Sequence, residues 1–418
     1  MNTRLAALLL LTTTLSAACD GEAVESPDDT PVAVEPTVTT EIVADQDLSD
    51  AWIFSDEVIH EIELTLSAAS VSALQREPRE DVEAEMTFNG ETLDPVGLRL
   101  AGKIGSFREL SGKPKLRVDF NKFSEGQRFY GLEGLALNNQ VVDCSYMKEA
   151  TAYRVFREHG APGSRTGWAH VTLNGSDYGL YLLVESPDDR YLKQNFAEPD
   201  GNLYDGKYLY DWNTGNYTLL DLYDELVGYY ELEEGQDVGN ADLQIIADAL
   251  DAHSGKPSFY EALGEVVDWP SVHRHLALEQ LVGHNDGYAL NQNNYRVYFD
   301  PAADGRFTLI TWDLDYSYLR APEWGMSWAS PRGRLAAACW ADTTCLEAQR
   351  AVSLEVVAAH DVTALLSWFE TTFEVIHDAI VNDPRKEFGS GSLDGCHDDV
   401  YFRVERMGVF MENAWTPD

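Results

Sequence analysis

Basic residues are scarce in this chain. It carries 30 Lys and Arg against 71 Asp and Glu, which gives a formal net charge of −41 over 418 residues. A surface with this charge repels nucleic acids and anionic membrane surfaces, so the composition argues against a nucleic-acid-binding function. It attracts divalent cations and basic proteins, and an anionic substrate would need a local group of basic side chains.

Hydrolase signatures are also lacking. The sequence has no G-x-S-x-G motif, no H-E-x-x-H motif and no cysteine pair with the spacing of a zinc site. His273 and His275 fall in a helical pattern, and we interpret them as ordinary helix residues. A hydrolase function therefore finds little support.

Long apolar runs are absent after the N-terminus, where a short one follows a single positive charge. MNTR is followed by LAALLLL and then by LSAAC, which ends at Cys19. This pattern predicts an export signal over residues 1–19, too short to span a bilayer. It resembles a bacterial lipobox with Cys19 as the lipidated residue, and the alternative is a plain secretory signal cleaved nearby. We therefore expect an exported cell-envelope lipoprotein, periplasmic or at the cell surface, whose membrane contact is the lipid anchor alone.

Residues 20–50 contain no Lys or Arg, many acidic residues and scattered Pro, Thr and Val. A segment of this composition cannot bury a hydrophobic core, so we predict an acidic disordered linker.

Four cysteines follow the predicted linker, an even number, which predicts disulfides in an exported protein. Cys339 and Cys345 can close a small loop and Cys144 and Cys396 a long one, but the sequence leaves the connectivity open.

The patterning of the folded part changes near residue 187. Short alternating runs such as HEIELTLS and KPKLRVDFNKF are typical of β-strands, and one clear helix lies in DCSYMKEATAYRVFREHGAP. Longer helical stretches follow, such as ADLQIIADALDAH and LLSWFETTFEVIHDAIV, interrupted by a hairpin of YRVYF and FTLITW. The patterns predict an α+β fold with a small strand-rich lobe, a larger and mostly helical lobe, and a cleft between them.

Polar side chains lie at the open end of that hairpin. Asn294 directly precedes the first strand and Asp313 follows the second, so a turn centred near Ala303 places them side by side. Asp286 lies on the loop that leads in, and Asp315 would share the face of Asp313 in an extended chain. Each of these residues alone is also common in turns. The set predicts a site for Mg²⁺ or Mn²⁺, with Ca²⁺ possible, because these ions bind carboxylate and amide oxygens.

Several stretches resemble the CotH family of atypical, protein-kinase-like proteins. They are VGLRLAGKIGSFREL, KPKLRVDFNKF, GQRFYGLEGLALNNQVVDCSYMKEATAYRVFREHGAP, LNGSDYGLYLLVE, NNYRVYF and WDLDYSY, in the family's order. HNDGYALN also has the H-x-D-x-x-x-x-N spacing of protein kinases. The resemblance implies a two-lobed kinase-like fold, with residues 51–187 as N-lobe and 188–418 as C-lobe. It implies transfer of phosphate from ATP to Ser or Thr hydroxyls of a protein substrate, with the chain itself as one candidate.

The resemblance assigns roles around the hairpin. Asp286 matches the catalytic-loop acid that orients or deprotonates the acceptor hydroxyl, and Asn294 and Asp313 match the residues that hold the metal ions. Asp315 is either a second metal ligand or a structural acceptor. Asn291 fits the kinase spacing but not the family's constant position, so it ranks below Asn294.

The resemblance also assigns roles in the strand-rich part. Gly102 and Gly105 in GKIGSFR would let the backbone approach the phosphates of ATP, and Arg108 would offer them a positive charge.

Lys113 matches the family's basic residue and would contact phosphate. Lys115 and Arg117 compete with it, because alternation places the three side chains on one face. Glu149, on the helix, would form an ion pair with the lysine, and Glu185 would frame the base pocket by its backbone.

Two other functions remain open from the sequence. One is a non-catalytic, metal-stabilised structural or adhesion protein of the cell surface, and the other is nucleotidyl transfer on the same fold. Retention of the full set of kinase-like residues favours an enzyme. The scarcity of ATP outside the cytosol is the main objection to a kinase, which would need phosphorylation during export or another nucleotide.

Overall fold

The computed structural model describes residues 49–206, 208–211 and 214–416. The predicted export signal with Cys19, and all but the last two residues of the predicted linker, lie outside these residues and stay predictions. Asp50 is buried, with its carboxylate 2.8 Å from Arg165 Nη2 and 3.0 Å from Arg190 Nε. The last residue of the predicted linker therefore belongs to the folded structure.

A closed barrel of seven strands forms the first half of the described chain. Its strands are β1 (Ile59–Leu66), β2 (Val82–Phe88), β3 (Glu91–Ala101), β4 (Lys115–Asp119), β5 (Gly134–Asn138), β6 (Thr166–Leu173) and β7 (Ser176–Glu185). Their order is β1-β2-β3-β4-β5-β7-β6, and β1 closes the barrel by pairing in parallel with β6. The inward side chains of the strands form one apolar cluster, which explains the alternating patterns of the sequence.

Three helices accompany the barrel: α1 (Ala68–Arg76), α2 (Lys148–Glu158) and α3 (Asp189–Asn195). α2 is the predicted helix, and Asp143 Oδ2 accepts a hydrogen bond from the Lys148 backbone N–H at its start, at 2.8 Å. α1 was not expected. It begins at Ser67, whose side chain accepts a hydrogen bond from the backbone N–H of Ser70, as N-cap residues do.

The rest of the described chain is mostly helical. Its helices are α4 (Asp224–Val227), α5 (Ala241–His253), α6 (Phe259–Gly264), α7 (Trp269–Leu281), α8 (Tyr288–Asn291), α9 (Arg334–Ala341), α10 (Thr343–Ala359), α11 (Val362–Asn382) and α12 (Leu393–Trp415). Its strands are β8 (Asn202–Asp205), β9 (Leu209–Asp211), β10 (Asn216–Thr218), β11 (Glu231–Glu234), β12 (Tyr295–Asp300) and β13 (Arg306–Thr311). β9 pairs with β10, and the order β11-β8-β12-β13 makes a four-stranded sheet.

Short 3₁₀ turns complete the described elements, at Ala51–Phe54, Pro301–Ala303, Leu314–Tyr316, Ala321–Trp324 and Ser390–Ser392. Among the described residues, no single helix has the length and apolar character needed to cross a bilayer. α10 and α11 meet those criteria only when counted together, and they are bent by 59° relative to each other.

The α+β class is confirmed, but the two-lobed, protein-kinase-like fold is wrong. The strand-rich half is a closed barrel, and one hydrophobic core joins it to the helical half. That core contains Tyr153 of α2, Leu182 of β7, Leu278 of α7 and Val404 of α12. Residues 49–206, 208–211 and 214–416 therefore belong to one compact unit.

The predicted disulfides are confirmed, with the connectivity that the sequence left open. Cys144, just before α2, is bonded to Cys396 in α12, and Cys339 is bonded to Cys345. The first bond ties the barrel's main helix to the C-terminal helix across 252 residues.

Candidate functional site

The predicted hairpin is confirmed, together with its register. β12 and β13 pair antiparallel with Tyr295 opposite Thr311, and the Trp312 N–H donates to the Asn294 carbonyl at 3.2 Å. Asn294, just before β12, and Asp313, just after β13, have left-handed backbone conformations, with φ of 47° and 49°. Asn and Asp tolerate this conformation better than most residues. It brings both side chains to the open end of the hairpin.

Asp286 lies at the centre of a cluster of side-chain amides. Its carboxylate accepts hydrogen bonds from Nδ2 of Asn291 at 2.6 Å, of Asn294 at 2.9 Å and of Asn293 at 3.3 Å. Burial raises the pKa of Asp286 to about 6, opposed by the Asn291 amide and supported by the negative charge of Asp313. Both asparagines considered from the sequence contact this acid, whereas Asn293 was not considered.

Lys115 joins the two acids that follow the hairpin. Its Nζ donates to Asp313 Oδ1 at 2.7 Å and to Asp315 Oδ2 at 2.8 Å. Burial alone would raise the pKa of Asp313, but Lys115 and then Arg117 outweigh it and hold the pKa below its usual value. Burial and the neighbouring Asp313 raise the pKa of Asp315 well above its usual value. The cluster thus brings a carboxyl of lowered pKa and a carboxyl of raised pKa within hydrogen-bond distance of one buried cation.

Lys113 lies in the protein core instead. Its Nζ donates to the Leu180 carbonyl at 2.7 Å and to the Tyr146 hydroxyl at 3.1 Å, and it forms an ion pair with Asp383. Burial lowers the pKa of Lys113 to about 8, although Asp383 opposes that shift. The structure therefore brings Lys115, the competing lysine of the sequence interpretation, to the acids at the hairpin.

Glu149 is buried near this charge cluster. Its carboxylate accepts hydrogen bonds from Asn138 Nδ2 at 2.7 and 2.9 Å and from Gln140 Nε2 at 3.2 Å. Burial raises the pKa of Glu149 to about 7, and the positive charge of Lys115 opposes the rise. Among residues 49–206, 208–211 and 214–416, no ion pair within 4.0 Å joins Glu149 to a lysine, so it faces Lys115 through charge alone.

The glycine-containing loop lies against the end of the hairpin. Gly102 and Gly105 have φ of +81° and +88°, and a Cβ on Gly105 would lie 2.5 Å from the Tyr316 hydroxyl. Arg108 turns away from this contact, forms an ion pair with Glu387 and donates to the Gly105 carbonyl at 2.9 Å. The loop thus lies close to Tyr316, which follows the hairpin, whereas the Arg108 side chain pairs with Glu387.

Glu185 lies elsewhere. Its Oε1 is 2.6 Å from Arg165 Nη2, and it lines a separate cavity of about 290 Å³ with Arg157 and Arg165. The structure does not bring Glu185 to the acids at the hairpin.

A cleft of about 570 Å³ opens between the glycine-containing loop and the hairpin. Its walls carry the acids Asp205, Asp286, Asp313 and Asp315, three side-chain amides, and a group of cations comprising Arg79, Arg99, Lys103, Arg117 and Arg296. These cations supply the local basic group that an anionic substrate of so acidic a protein requires. The sequence interpretation missed Arg79, Arg99 and Arg296. In the sequence, the only indication of their role was that each is a basic residue beside or within an apolar strand pattern.

The donor set suits a hard divalent cation. Lys115 engages one oxygen of Asp313 and one of Asp315, so the second oxygen of each can serve as a ligand with the amide oxygen of Asn294. Carboxylate and amide oxygens are the ligands that Mg²⁺ and Mn²⁺ take in proteins. The Asp313 side chain is 24% exposed against 4% for Asp315, which makes Asp313 the more accessible ligand.

Comparison with known proteins adds family information. A family profile described as CotH kinase protein matches residues 99–345, which include the hairpin, the glycine-containing loop and Lys115. The inner spore coat protein H of Bacillus subtilis (strain 168) is 29% identical over 204 residues, 47% of this chain and 53% of that protein. The chain thus spans about half the length of this curated relative.

Proposed function

Because the chain belongs to the CotH kinase protein family, we propose that it transfers phosphate from ATP to Ser or Thr hydroxyls of a protein, in an extracytoplasmic setting. One observation carries the proposal: Asp286, Asn294 and Asp313 meet at one end of a hairpin, in a cleft lined by arginines. The name of the spore coat relative supports a surface location. Lipid anchoring at Cys19 is part of the same proposal.

Asp286 acts as the base in this reaction. The acceptor hydroxyl gives its proton to Asp286 while its oxygen bonds to the γ-phosphorus, and the bond to the β–γ bridging oxygen breaks to release ADP. With a pKa of about 6, the carboxylate is mostly ionised at neutral pH and still basic enough to take a proton. The amides of Asn291 and Asn294 fix its orientation through their hydrogen bonds.

Asn294, Asp313 and Asp315 would hold Mg²⁺ or Mn²⁺. When bound, the metal neutralises charge on the phosphates and aligns them for transfer. Lys115 keeps the two carboxylates together, because it contacts both at 2.7 and 2.8 Å. Phosphoryl transfer requires mainly such positioning and charge neutralisation from a protein.

Transfer of labelled γ-phosphate tests the proposal, with the protein itself and a mixed protein preparation as acceptors. Asp286→Asn and Asp313→Asn should each abolish incorporation. Asp304→Asn is the matched control, because Asp304 lies exposed in the turn of the same hairpin with a similar backbone φ of 58°. Equal incorporation in all of these proteins would refute the proposed site.

The non-catalytic alternative predicts a different result. If ATP adds no stabilisation of the wild type in the presence of Mg²⁺ or Mn²⁺, the result supports the metal-stabilised structural or adhesion protein. Stabilisation by ATP with metal, lost in Asp313→Asn, supports the kinase.

A further inference from the structure

Two arginines from different parts of the fold converge on one tryptophan in the cleft. Arg117 comes from β4 of the barrel and Arg296 from β12 of the hairpin, and both line the cleft. Their guanidinium carbons lie 5.4 and 5.2 Å from the centroid of the Trp312 ring. Trp312 directly precedes Asp313, so the ring holds both cations beside the acids of the candidate site.

Two nitrogens of the Arg296 guanidinium lack a hydrogen-bond acceptor among the described residues. Its Nε and Nη1 are buried and have no hydrogen-bond partner among the described residues. The carboxylate of Glu233 is 3.7 Å from Nη1, and the Arg296 side chain is only 11% exposed. Buried charged donors without acceptors are costly. An anionic ligand that enters the cleft would supply the missing acceptors.

Arg117 is also weakly satisfied. Its Nη1 makes only long hydrogen bonds, 3.3 Å to Asn138 Oδ1 and 3.4 Å to the Leu116 carbonyl. Across the β3–β4 pair it lies directly opposite Arg99, and like charges at opposed positions repel.

Asp81 balances only part of this positive charge. It lies 3.2 Å from Arg99 and is shared with Lys122 at 3.4 Å. The cleft wall carries five cations against the four acids Asp205, Asp286, Asp313 and Asp315, so it is locally free of the strong negative charge of a protein whose net charge is −41.

We propose that Arg117 and Arg296 form a subsite for a polyphosphate chain, and that this subsite binds phosphate oxygens without a divalent metal. The proposal rests on the proposed function in that the natural ligand would be the phosphate chain of a nucleoside triphosphate. Arginine suits this ligand, because its planar fork of N–H groups pairs with two phosphate oxygens at once. The carboxylates on the hairpin would bind the same ligand only through metal ions.

Calorimetric titration with inorganic triphosphate in the presence of EDTA tests the subsite. Wild type should bind, and Arg117→Gln and Arg296→Gln should each weaken binding by at least about tenfold, the effect of losing a charged hydrogen bond. Arg306→Gln is the matched control, since Arg306 lies at the other end of the same hairpin and donates to the Ala303 carbonyl. It removes the same charge and should bind triphosphate within about twofold of wild type.

Absence of triphosphate binding by wild type, or wild-type affinity in both glutamine variants, would overturn the subsite. If Arg296→Gln does not fold, Arg296→Lys replaces it, because lysine keeps the charge but loses the planar fork. Lysine should still bind triphosphate more weakly than arginine, and unchanged affinity counts against the proposal.

The subsite and the proposed function fail separately. If the arginines bind triphosphate but no labelled phosphate is transferred to any acceptor, the subsite stands and the kinase proposal falls. If phosphate transfer depends on Asp286 while both glutamine variants bind triphosphate normally, the kinase proposal stands and the subsite falls.

Discussion

Lys115 Nζ lies 2.7 Å from Asp313 Oδ1. This ion pair connects the first residue of β4 in the barrel to a residue just after the second strand of the hairpin. Lys115 is almost fully buried, and its second contact, to Asp315, is equally short at 2.8 Å. A barrel residue thus sets the position of two acids that lie about two hundred residues later in the chain. The geometry of the candidate metal site depends on the barrel as much as on the hairpin.

Lys115→Met should strongly slow phosphate transfer. Without the cation, the pKa of Asp313 rises and the two carboxylates repel each other, so they no longer hold a metal in place. We expect kcat/KM for ATP to fall by at least about a hundredfold, as when one preorganised charge is removed from other active sites. Steady-state kinetics with labelled ATP measure this fall, and circular dichroism checks that the variant is folded.

Lys113→Met is the comparison, since Lys113 lies two residues away but contacts Asp383 in the core. Breaking a fully buried ion pair costs about 3–5 kcal/mol of folding free energy. We therefore expect a lower urea midpoint, with the activity per folded molecule retained. Loss of activity in folded Lys113→Met, together with an active Lys115→Met, would restore the assignment made from the sequence.

Lys113 and Lys115 show which part of the candidate site could not be predicted from the sequence. Alternation placed Lys113 and Lys115 on one face, but β4 begins only at Lys115. Lys113 precedes the strand and pairs with Asp383, 270 residues later. No local pattern reveals a partner at that separation. The placement of Asn294 beside Asp313 was predictable, because the register of a two-stranded antiparallel pair follows from its turn.

Closure of the barrel could not be predicted from local sequence patterns either, because it depends on the pairing of strands far apart in the chain. The parallel pairing of β1 with β6 joins Ile59 to Trp168, and alternation in each strand is the same whether the sheet is open or closed. The resemblance to kinase-like proteins suggested a two-lobed arrangement. The shared core of α2, β7 and the C-terminal helices contradicts it.

Phosphate transfer should depend on pH through Asp286. Burial raises the pKa of its carboxyl to about 6, so the carboxyl is protonated below that pH and cannot accept the hydroxyl proton. We expect kcat/KM to be flat near neutral pH and to fall about tenfold per pH unit on the acid side of the midpoint. An exposed aspartate would keep its activity to about pH 4.

Asn291→Ala provides the internal check on this assignment. The Asn291 amide donates to Asp286 Oδ1 at 2.6 Å and stabilises the charged form. Its removal should move the acid midpoint to higher pH. Melting temperatures taken at each pH separate this effect from acid unfolding. An unchanged midpoint in the variant would show that another group controls the profile.

The long-range disulfide should contribute more stability than the short one. Cys144 and Cys396 are 252 residues apart, whereas Cys339 and Cys345 are separated by 6. A cross-link that closes a longer loop removes more entropy from the unfolded chain. Replacing Cys144 and Cys396 by alanine should lower the free energy of unfolding by about 3–5 kcal/mol, and replacing the other pair by roughly half as much. Urea unfolding under non-reducing conditions measures both, and the opposite order would contradict the prediction.

Gly105→Ala should impair ATP binding through Tyr316. A Cβ at this position would lie 2.5 Å from the Tyr316 hydroxyl, and Tyr316 directly follows Asp315 in the wall of the cleft. Gly126→Ala is the control, because Gly126 has a similar φ of +76° but no atom within 4 Å of the added carbon.

Both glycine variants should lose about 1 kcal/mol of stability from the left-handed backbone conformation alone. Only Gly105→Ala should also displace Tyr316, because only its new methyl group meets the hydroxyl. We therefore expect KM for ATP to rise by about tenfold or more in Gly105→Ala, and to stay at the wild-type value in Gly126→Ala. Equal KM values in the two variants would mean that the loop contacts the hairpin without shaping the nucleotide site.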